Sequence, residues 1–260
     1  MTRTVQSTDG STIAHEMTGS GPALIVVGGA FSTRQSARAA TSPLAAKYSV
    51  FAYDRRGRGD STDVQPYAVE REVEDLAAVI DAAGGSAAVY GHSSGAILAL
   101  EAAAVGVPIT RLAAYEPPFT AAEPGRPTLD GWRQNVESAV AAGDLEGAAT
   151  LFMEGTGAEP AVVEGMRDLP FWPAMLAIAH TLPYDLALVG SGTVPTERYQ
   201  RIAVPTLLLH GGKSPSWAGI AGSVIAEAIP GARQAEVAGQ DHGADPAVLA
   251  PVLIEFFGAS

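Results

Sequence analysis

The stretch GHSSG at residues 91–95 contains the pattern Gly-x-Ser-x-Gly, which can present a serine as a nucleophile. It lies between an apolar run, residues 87–91, and a helical run that starts at Ser94. A sharp turn between a strand and a helix strains the backbone of the serine, and small residues two positions before and after it avoid a clash. Ser93 is therefore the candidate nucleophile, and we expect its side chain to project above the sheet edge at a helix N-terminus.

A serine hydroxyl is a poor nucleophile unless a base accepts its proton, and histidine is the usual base. The histidines of the chain are His15, His92, His180, His210 and His242. His92 lies inside the turn and should point away from the hydroxyl of Ser93. His15 and His210 belong to predicted strands, and His180 lies among predicted helices. His242 lies in the loop AGQDHGADP, after the last predicted strand and before the last predicted helix, and is the candidate base.

Short apolar runs alternate with helical runs along much of the chain, and they must position these residues. A strand at residues 11–19 is expected to be antiparallel. Buried strands are predicted at residues 23–29, 48–54, 87–91, 109–116 and 204–212, and a last strand is predicted at residues 233–239. The alternation predicts an α/β fold with a mostly parallel sheet flanked by helices. No buried strand is predicted from Phe119 to Thr196, so residues 119–196 are interpreted as a helical lid inserted into a core formed by 1–118 and 197–260.

Composition excludes several classes of function. The net charge of −12 disfavours binding to nucleic acid and to anionic membrane surfaces. The absence of cysteine excludes disulfides, thiolate metal sites and cysteine nucleophiles. No apolar run reaches the roughly 18 residues of a membrane span, and the N-terminal segment lacks the apolar core of a signal peptide. We therefore expect a cytoplasmic protein that acts on a small molecule.

Three further stretches make the chain resemble the α/β-hydrolase family over nearly its whole length. They are YDRRGRGDS at 53–61, YEPP at 115–118 and GQDHG at 239–243. The chain order, with Ser93 first and His242 last, is also that of serine hydrolases of this family. The family's strand-loop motif Asp-x-Arg-Gly-x-Gly-x-Ser is matched by Asp54, Arg56, Gly57, Gly59 and Ser61.

The resemblance also implies an oxyanion hole made of two backbone N–H groups. One would come from Ser94, the residue after the nucleophile. The other would come from the loop after the strand at 23–29, where position implies Ala30, with Phe31 as the alternative. The family usually has a His-Gly pair there, whereas this chain has Gly28 in place of the histidine. Phe31 would then form an apolar wall that contacts the substrate beside the reacting centre.

The acid that would orient His242 is not at its usual place. The resemblance implies an acid at Ser214, and no Asp or Glu lies between residues 198 and 226. Some family members take the acid from the strand after the nucleophile helix, and here that strand ends at Glu116. Alternatively, Ser214 or a water molecule holds His242 in a weakened dyad. Asp241 directly precedes His242, so its side chain should diverge from the ring.

The activity implied by these features is that of a serine hydrolase, with Ser93, His242 and Glu116 as its catalytic residues. An apolar pocket lined by the predicted lid favours a small or medium apolar ester, thioester or lactone as substrate. No metal or organic cofactor is implied. Two alternatives remain open: a non-hydrolytic cyclase, lyase or acyl transferase of secondary metabolism on the same fold, and a ligand-binding protein with little turnover.

Overall fold

A single eight-stranded sheet forms the centre of the computed structural model, which describes residues 2–119 and 129–258. Its spatial order is β1-β2-β4-β3-β5-β6-β7-β8. The strands are β1 (Arg3–Gln6), β2 (Thr12–Thr18), β3 (Ala23–Val27), β4 (Ser49–Tyr53), β5 (Ala87–His92), β6 (Ile109–Tyr115), β7 (Thr206–Gly211) and β8 (Arg233–Val237). β1 and β2 pair antiparallel with their neighbours, and the pairs from β4 to β8 are parallel.

Helices cover both faces of this sheet. In chain order they are α1 (Arg34–Ala40), α2 (Val69–Ala82), α3 (Ser94–Ala104), α4 (Leu129–Ala141), α5 (Leu145–Gly155), α6 (Pro160–Met166), α7 (Trp172–Ala177), α8 (Leu182–Val189), α9 (Thr196–Tyr199), α10 (Ser216–Ala228) and α11 (Pro246–Gly258). α2, α3 and α10 pack on one face around Ile80, Leu98 and Ile225. α1 and α11 pack on the other around Ala37 and Leu253. None of the described helices is long and apolar enough to cross a membrane.

The α/β fold class predicted from the sequence is confirmed. Because helices cover both faces, strands β3 to β7 are largely buried on both sides and mostly apolar, which is why the pattern located them. β8, with the sequence RQAEV, lies at the edge of the sheet and is mostly half-buried or exposed. β1 was not predicted, since its residues RTVQ are mostly exposed and carry no apolar alternation. It pairs with β2 in the register Arg3↔His15, at the edge of the sheet.

The segment between β6 and β7 forms a separate hydrophobic cluster. Val136, Phe152, Trp172 and Leu182 lie in it, on α4, α5, α7 and α8. Among the described residues of this segment there is no strand, as the sequence predicted. The predicted boundaries at 119 and 196 remain a prediction, and residues 120–128 lie outside the described residues. The cluster packs against Ala30 and Phe31 of the loop after β3.

Candidate active site

Ser93 occupies the sharp turn between β5 and α3. Its backbone has φ 55° and ψ −126°, a conformation that residues other than glycine rarely adopt. Its N–H donates a hydrogen bond of 2.9 Å to the carbonyl of Tyr115, which fixes the turn against the end of β6. Backbone strain of this kind persists only where the surrounding structure imposes it, and it is concentrated at functional sites.

The glycines on either side make this turn possible. A Cβ atom added to Gly91 would lie 2.6 Å from the carbonyl oxygen of Gly95. A Cβ added to Gly95 would lie 2.6 Å from the carbonyl oxygen of Gly28. Both distances are too short for a real side chain. The small residues that the sequence pattern requires are therefore needed for close packing of the backbone.

The structure brings His242 and Glu116 together. Nδ1 of His242 lies 2.6 Å from Oε2 of Glu116. The Glu116 side chain is fully buried, whereas the His242 side chain is 45% exposed. Glu116 follows β6 with φ 48° and donates its backbone N–H to the carbonyl of Leu209 on β7. The carboxylate thus reaches the imidazole from the strand that follows the α3 helix.

Ser214 contacts Glu116 and does not hold His242. Its hydroxyl donates a hydrogen bond of 2.5 Å to Oε1 of Glu116, and the N–H of Gly211 donates to the same oxygen at 2.7 Å. Burial raises the pKa of Glu116, but hydrogen bonds from His242, Gly211 and Ser214 outweigh it and bring the pKa below its ordinary value. The carboxylate is therefore charged and held at both oxygens.

Two side chains hold the loop that carries His242. Nε2 of His92 lies 2.8 Å from the backbone carbonyl of His242, so this nitrogen carries the proton and donates it. The hydroxyl of Tyr115 donates to the carbonyl of Asp241 at 2.6 Å. Burial, together with the neighbouring His242, lowers the pKa of His92 to about 4. His92 is therefore neutral at neutral pH and anchors the loop.

A cavity of about 420 Å³ lies above Ser93 and beneath α4 and α5. Both Ser93 and His242 line it. Its other lining residues include Ala30, Phe31, Ser94, Trp132, Phe152, Met153, Val189 and Trp217. No hydrogen bond joins Ser93 to His242 within the described residues. Bonds of this kind are often long without substrate and tighten in the reacting complex.

The two residues predicted for the oxyanion hole line the same cavity. Ser94 is the first residue of α3, so its N–H has no partner within the helix. Ala30 lies in the loop after β3. A Cβ added to the adjacent Gly29 would lie 2.8 Å from Cβ of Ser93. This loop therefore closely approaches the turn between β5 and α3 that carries Ser93, which we call the elbow. Phe31 has φ 57°, and its ring packs edge-on against Phe152 at 5.6 Å.

A buried ionic cluster lies behind this loop, and sequence reasoning missed it. Its central carboxylate is Asp185 on α8, which is 1% exposed. Oδ1 of Asp185 accepts from Nη1 of Arg55 at 2.7 Å and from the hydroxyl of Ser94 at 2.6 Å. Oδ2 accepts from Nη2 of Arg58 at 2.7 Å. Glu72 pairs with the other side of Arg55, with both bonds at 2.6 Å.

The cluster explains how so much charge is buried beside the elbow. Burial raises the pKa of Asp185, but Arg58, Arg55 and the Ser94 hydroxyl outweigh it and bring the pKa below its ordinary value. The available sequence signal was the charge itself. Arg55 and Arg58 stand in YDRRGRGDS outside the family motif, and Asp185 interrupts the apolar run TLPYDLALV.

The remaining motif residues are structural. The carboxylate of Asp54 accepts the backbone N–H of Arg34 at 2.7 Å and of Asp60 at 3.1 Å, and Ser61 donates to the Asp54 carbonyl at 2.7 Å. Gly59 has φ 53°, and a Cβ there would lie 2.8 Å from Oδ1 of Asp54. The motif therefore folds as a tight turn after β4.

The other histidines lie away from the cavity. His15 is buried in β2 beside Phe51, and His210 is on β7, 3.9 Å from Glu236. His180 lies in a short 3₁₀ turn before α8. In the parts of the chain that the structure describes, no group of three His, Asp or Glu side chains has the geometry to hold a metal ion.

Comparison with known proteins identifies the family. The model of the alpha/beta hydrolase family matches residues 24–252, and the chain belongs to that family. An alpha/beta hydrolase from Sphaerobacter thermophilus is 50% identical, with a TM-score of 0.93 over 98% of this chain and 100% of that one. A hydrolase from Pseudomonas aeruginosa is 25% identical, with a TM-score of 0.80 over 99% and 98%.

A more distant structure carries a named activity. The enol-lactonase from Burkholderia xenovorans is 19% identical, with a TM-score of 0.75 over 99% of this chain and 100% of that one. At this identity the likeness establishes the shared fold alone. No curated protein matched the sequence.

Proposed function

We propose that this protein is a serine hydrolase that cleaves a small or medium apolar ester, thioester or lactone through an acyl-enzyme intermediate. Ser93 is the nucleophile, His242 the general base and then acid, and Glu116 the orienting acid. The backbone N–H groups of Ala30 and Ser94 form the oxyanion hole. The observation that carries the proposal is the 2.6 Å hydrogen bond between Glu116 and Nδ1 of His242, at the edge of the cavity that Ser93 lines.

The hydrogen-bonding pattern supports these roles. Glu116 accepts at Nδ1, so that nitrogen carries the proton and Nε2 of His242 is left with its lone pair. A charged, buried carboxylate stabilises the imidazolium that forms when Nε2 takes the proton of Ser93. Glu116 is fixed by Ser214 and Gly211, so the imidazole is held in one tautomer and one orientation.

The reaction proceeds in two balanced halves. In the first, Oγ of Ser93 bonds to the acyl carbon while its proton passes to His242, and the carbonyl oxygen becomes an oxyanion bound by Ala30 and Ser94. The bond to the leaving oxygen or sulfur then breaks, and His242 returns its proton to that atom. In the second, water attacks the acyl carbon and passes a proton to His242. The bond between that carbon and Oγ of Ser93 then breaks, His242 returns the proton to Oγ, and the carboxylic acid leaves.

The cavity supports an apolar substrate of limited size. Its volume of about 420 Å³ lies near the lower end of the range for small-molecule sites, roughly 300–1,000 Å³. Trp132, Phe152 and Met153 form its roof, and Phe31 lies beside the elbow as the predicted apolar wall. Because an enol-lactonase shares the fold, lactones should be included in the panel of test substrates.

We also propose that residues 119–196 act as a lid. The described helices α4 and α5 contribute the roof residues, and their cluster packs against Ala30 and Phe31. Substrate selection would then depend on this segment. Exchanging Met153 for Ala would enlarge the cavity and shift preference towards longer acyl chains, measured as kcat/KM across a series of p-nitrophenyl esters.

The proposal is tested with a fluorophosphonate that reacts with activated serines, followed by intact-mass spectrometry. We expect rapid addition of one phosphonyl group to the wild-type protein, because His242 activates Ser93. The Ser93→Ala variant should remain unmodified. The matched control is Ser223→Ala, which removes a serine hydroxyl on α10 that donates to Glu227 and does not line the cavity, so this variant should still accept the group.

Failure of folded wild-type protein to react would overturn the hydrolase proposal. Labelling that persists in Ser93→Ala would also overturn it, since another residue would then be the reactive group. Circular dichroism and thermal unfolding of each variant establish that the folded protein is compared. Hydrolysis of p-nitrophenyl butyrate measures turnover in the same samples.

A further inference from the structure

The peptide group between Gly29 and Ala30 is held from behind by a buried charge. Nη1 of Arg58 donates a hydrogen bond of 2.6 Å to the carbonyl of Gly29. The N–H of this same peptide belongs to Ala30 and is one of the two proposed oxyanion donors. Arg58 is 1% exposed, so water does not compete for the interaction. A hydrogen bond from a guanidinium is about twice as strong as one between neutral groups.

Peptide geometry carries the effect through to the cavity. A peptide bond is planar, and in the trans form its C=O and N–H point in opposite directions. The Gly29–Ala30 peptide is trans, since the cis bond of the described residues is Gln65–Pro66. Holding the carbonyl towards Arg58 therefore directs the N–H of Ala30 away from Arg58. The charge also polarises the peptide and makes that N–H a stronger donor.

Asp185 connects this contact to the second donor. Its Oδ2 holds Nη2 of Arg58, and its Oδ1 accepts from the side-chain hydroxyl of Ser94. Ser94 supplies the other proposed N–H of the hole. One carboxylate on α8 thus fixes the residues on both sides of the site where the oxyanion would form.

The cluster also explains how the loop keeps its shape without the usual histidine. Gly28 stands at that position, and Nη1 of Arg55 donates to its carbonyl at 3.4 Å. Arg58 contacts the carbonyls of Gly29 and, at 3.4 Å, Ser32. Three carbonyls of the loop therefore point towards two guanidinium groups.

We propose that Arg58 and Asp185 are positioning residues of the oxyanion hole: they orient the Gly29–Ala30 peptide and anchor Ser94, so that both N–H groups face the reacting carbonyl. The inference rests on the proposed function for its kinetic consequence. Its structural content, the orientation of one peptide group by Arg58, holds independently of the reaction and is tested separately.

The kinetic test compares Arg58→Lys with Arg56→Lys. Both arginines are buried, lie in the same turn and pair with carboxylates, but the bonds of Arg56 go to Asp75, Asp9 and the carbonyl of Arg71, away from the oxyanion loop. The single ammonium of lysine cannot reproduce the bonds that Arg58 makes from separate nitrogens to Thr181, the Gly29 carbonyl and Asp185. We expect Arg58→Lys to lower kcat on p-nitrophenyl butyrate about 10- to 100-fold and change KM less than about threefold.

Arg56→Lys should leave kcat within about threefold of wild type, even where its thermal stability falls. Equal losses of kcat in the two variants would overturn the proposal, because the loss would then follow from disturbing any buried ion pair in this turn and not from the contact between Arg58 and Gly29. An unchanged kcat in Arg58→Lys would overturn it as well. Should that variant not fold, Asp185→Asn replaces it, because it keeps the shape of the side chain and weakens the hold on Arg58.

The structural test needs no turnover. In protein labelled with ¹³C at glycine carbonyls and ¹⁵N at alanine, a nuclear magnetic resonance experiment that transfers magnetisation through the ¹³C–¹⁵N bond detects only the seven Gly-Ala pairs, one of which is Gly29–Ala30. We expect Arg58→Lys to shift the Ala30 ¹⁵N resonance to lower frequency and Arg56→Lys to leave it in place. An unmoved Ala30 resonance overturns the positioning role. Absence of phosphonate labelling in the wild type overturns the hydrolase proposal, and the two failures are thereby distinguished.

Discussion

The ends of β6 and β7 lie side by side, yet they contribute to the site in different ways. β6 is followed by Glu116, which is fully buried and has a strained backbone. The end of β7 and the loop after it, HGGKSPSW, contain no acid. The register pairs Tyr115 with Leu209, so the two strand ends are level. Ser214 occupies the position on the β7 side where the family usually has its acid. The hydroxyl of Ser214 donates a hydrogen bond to the carboxylate of Glu116, the residue after β6.

The carboxylate of Glu116 therefore lies beside the β7 loop, although the residue that carries it follows β6. The side chain of Glu116 reaches the β7 side, where Oε1 accepts a hydrogen bond from the N–H of Gly211. Its other oxygen meets Nδ1 of His242. Ser214 donates a hydrogen bond that fixes the carboxylate of Glu116. Four experiments test this division of roles, from the largest expected effect to the smallest.

Removing the charge at the end of β6 should have the largest effect. Glu116→Gln keeps the shape of the side chain but cannot stabilise an imidazolium, so we expect kcat on a model ester to fall about 10³- to 10⁴-fold. Thermal unfolding should show that the variant is folded. Turnover equal to that of the wild type would rule out Glu116 as the acid.

Moving the acid to the β7 side should restore part of this loss. In Glu116→Ala, the added change Ser214→Asp places a carboxylate at the position where the family usually has one. We expect the double variant to regain about 10- to 100-fold in kcat over Glu116→Ala, because a charged group again faces His242. The control is Glu116→Ala with Ser214→Asn, which adds a side chain of the same shape without charge. Equal activity of the two double variants would contradict the exchange.

Ser214→Ala should have a modest effect. Glu116 loses one hydrogen bond but keeps those from Gly211 and His242, so we expect kcat to fall less than about tenfold. A loss as large as that of Glu116→Gln would mean that Ser214 itself holds the histidine. The same kinetic assay decides between these outcomes.

The pH dependence of the free energy of unfolding should differ between Glu116→Gln and Ser214→Ala, and this is the smallest of the four expected effects. The pKa of Glu116 is lower in the folded protein than its ordinary value of 4.5, so its contribution to stability is present above pH 4.5 and is lost as the pH falls through the folded pKa. Glu116→Gln should lack this part of the decline. Urea unfolding from pH 6 to pH 3 should give a shallower slope for Glu116→Gln than for Ser214→Ala.

Much of the fold and part of the site could be predicted from the sequence. Strands β3 to β7 have mostly apolar runs, and Ser93 lies at a strand-helix junction with its own glycine pattern. Glu116 was singled out by its place at a predicted strand end. These are local features, so one stretch of sequence carries each of them, whereas His242 was singled out by its place after Ser93 in the chain order.

The rest depended on contacts between distant parts of the chain. Asp185 meets Arg58 across 127 positions, and Ser214 meets Glu116 across 98. Neither pairing leaves a periodicity or a motif. An isolated acid in an apolar helix indicates that some buried partner exists, but only the packing of α8 over the β3 loop shows which one.

The backbone of Ser93 has a consequence for how this protein would respond to selection. Its φ of 55° and ψ of −126° cost a serine about 1–3 kcal/mol and cost a glycine much less. Selection of a variant library for thermal stability alone should therefore enrich glycine at this position, and the selected variants should lack the proposed hydrolase activity. Stability alone does not favour serine at position 93. A survey of the stability of variants, made without any activity assay, should therefore still identify the position of the proposed nucleophile.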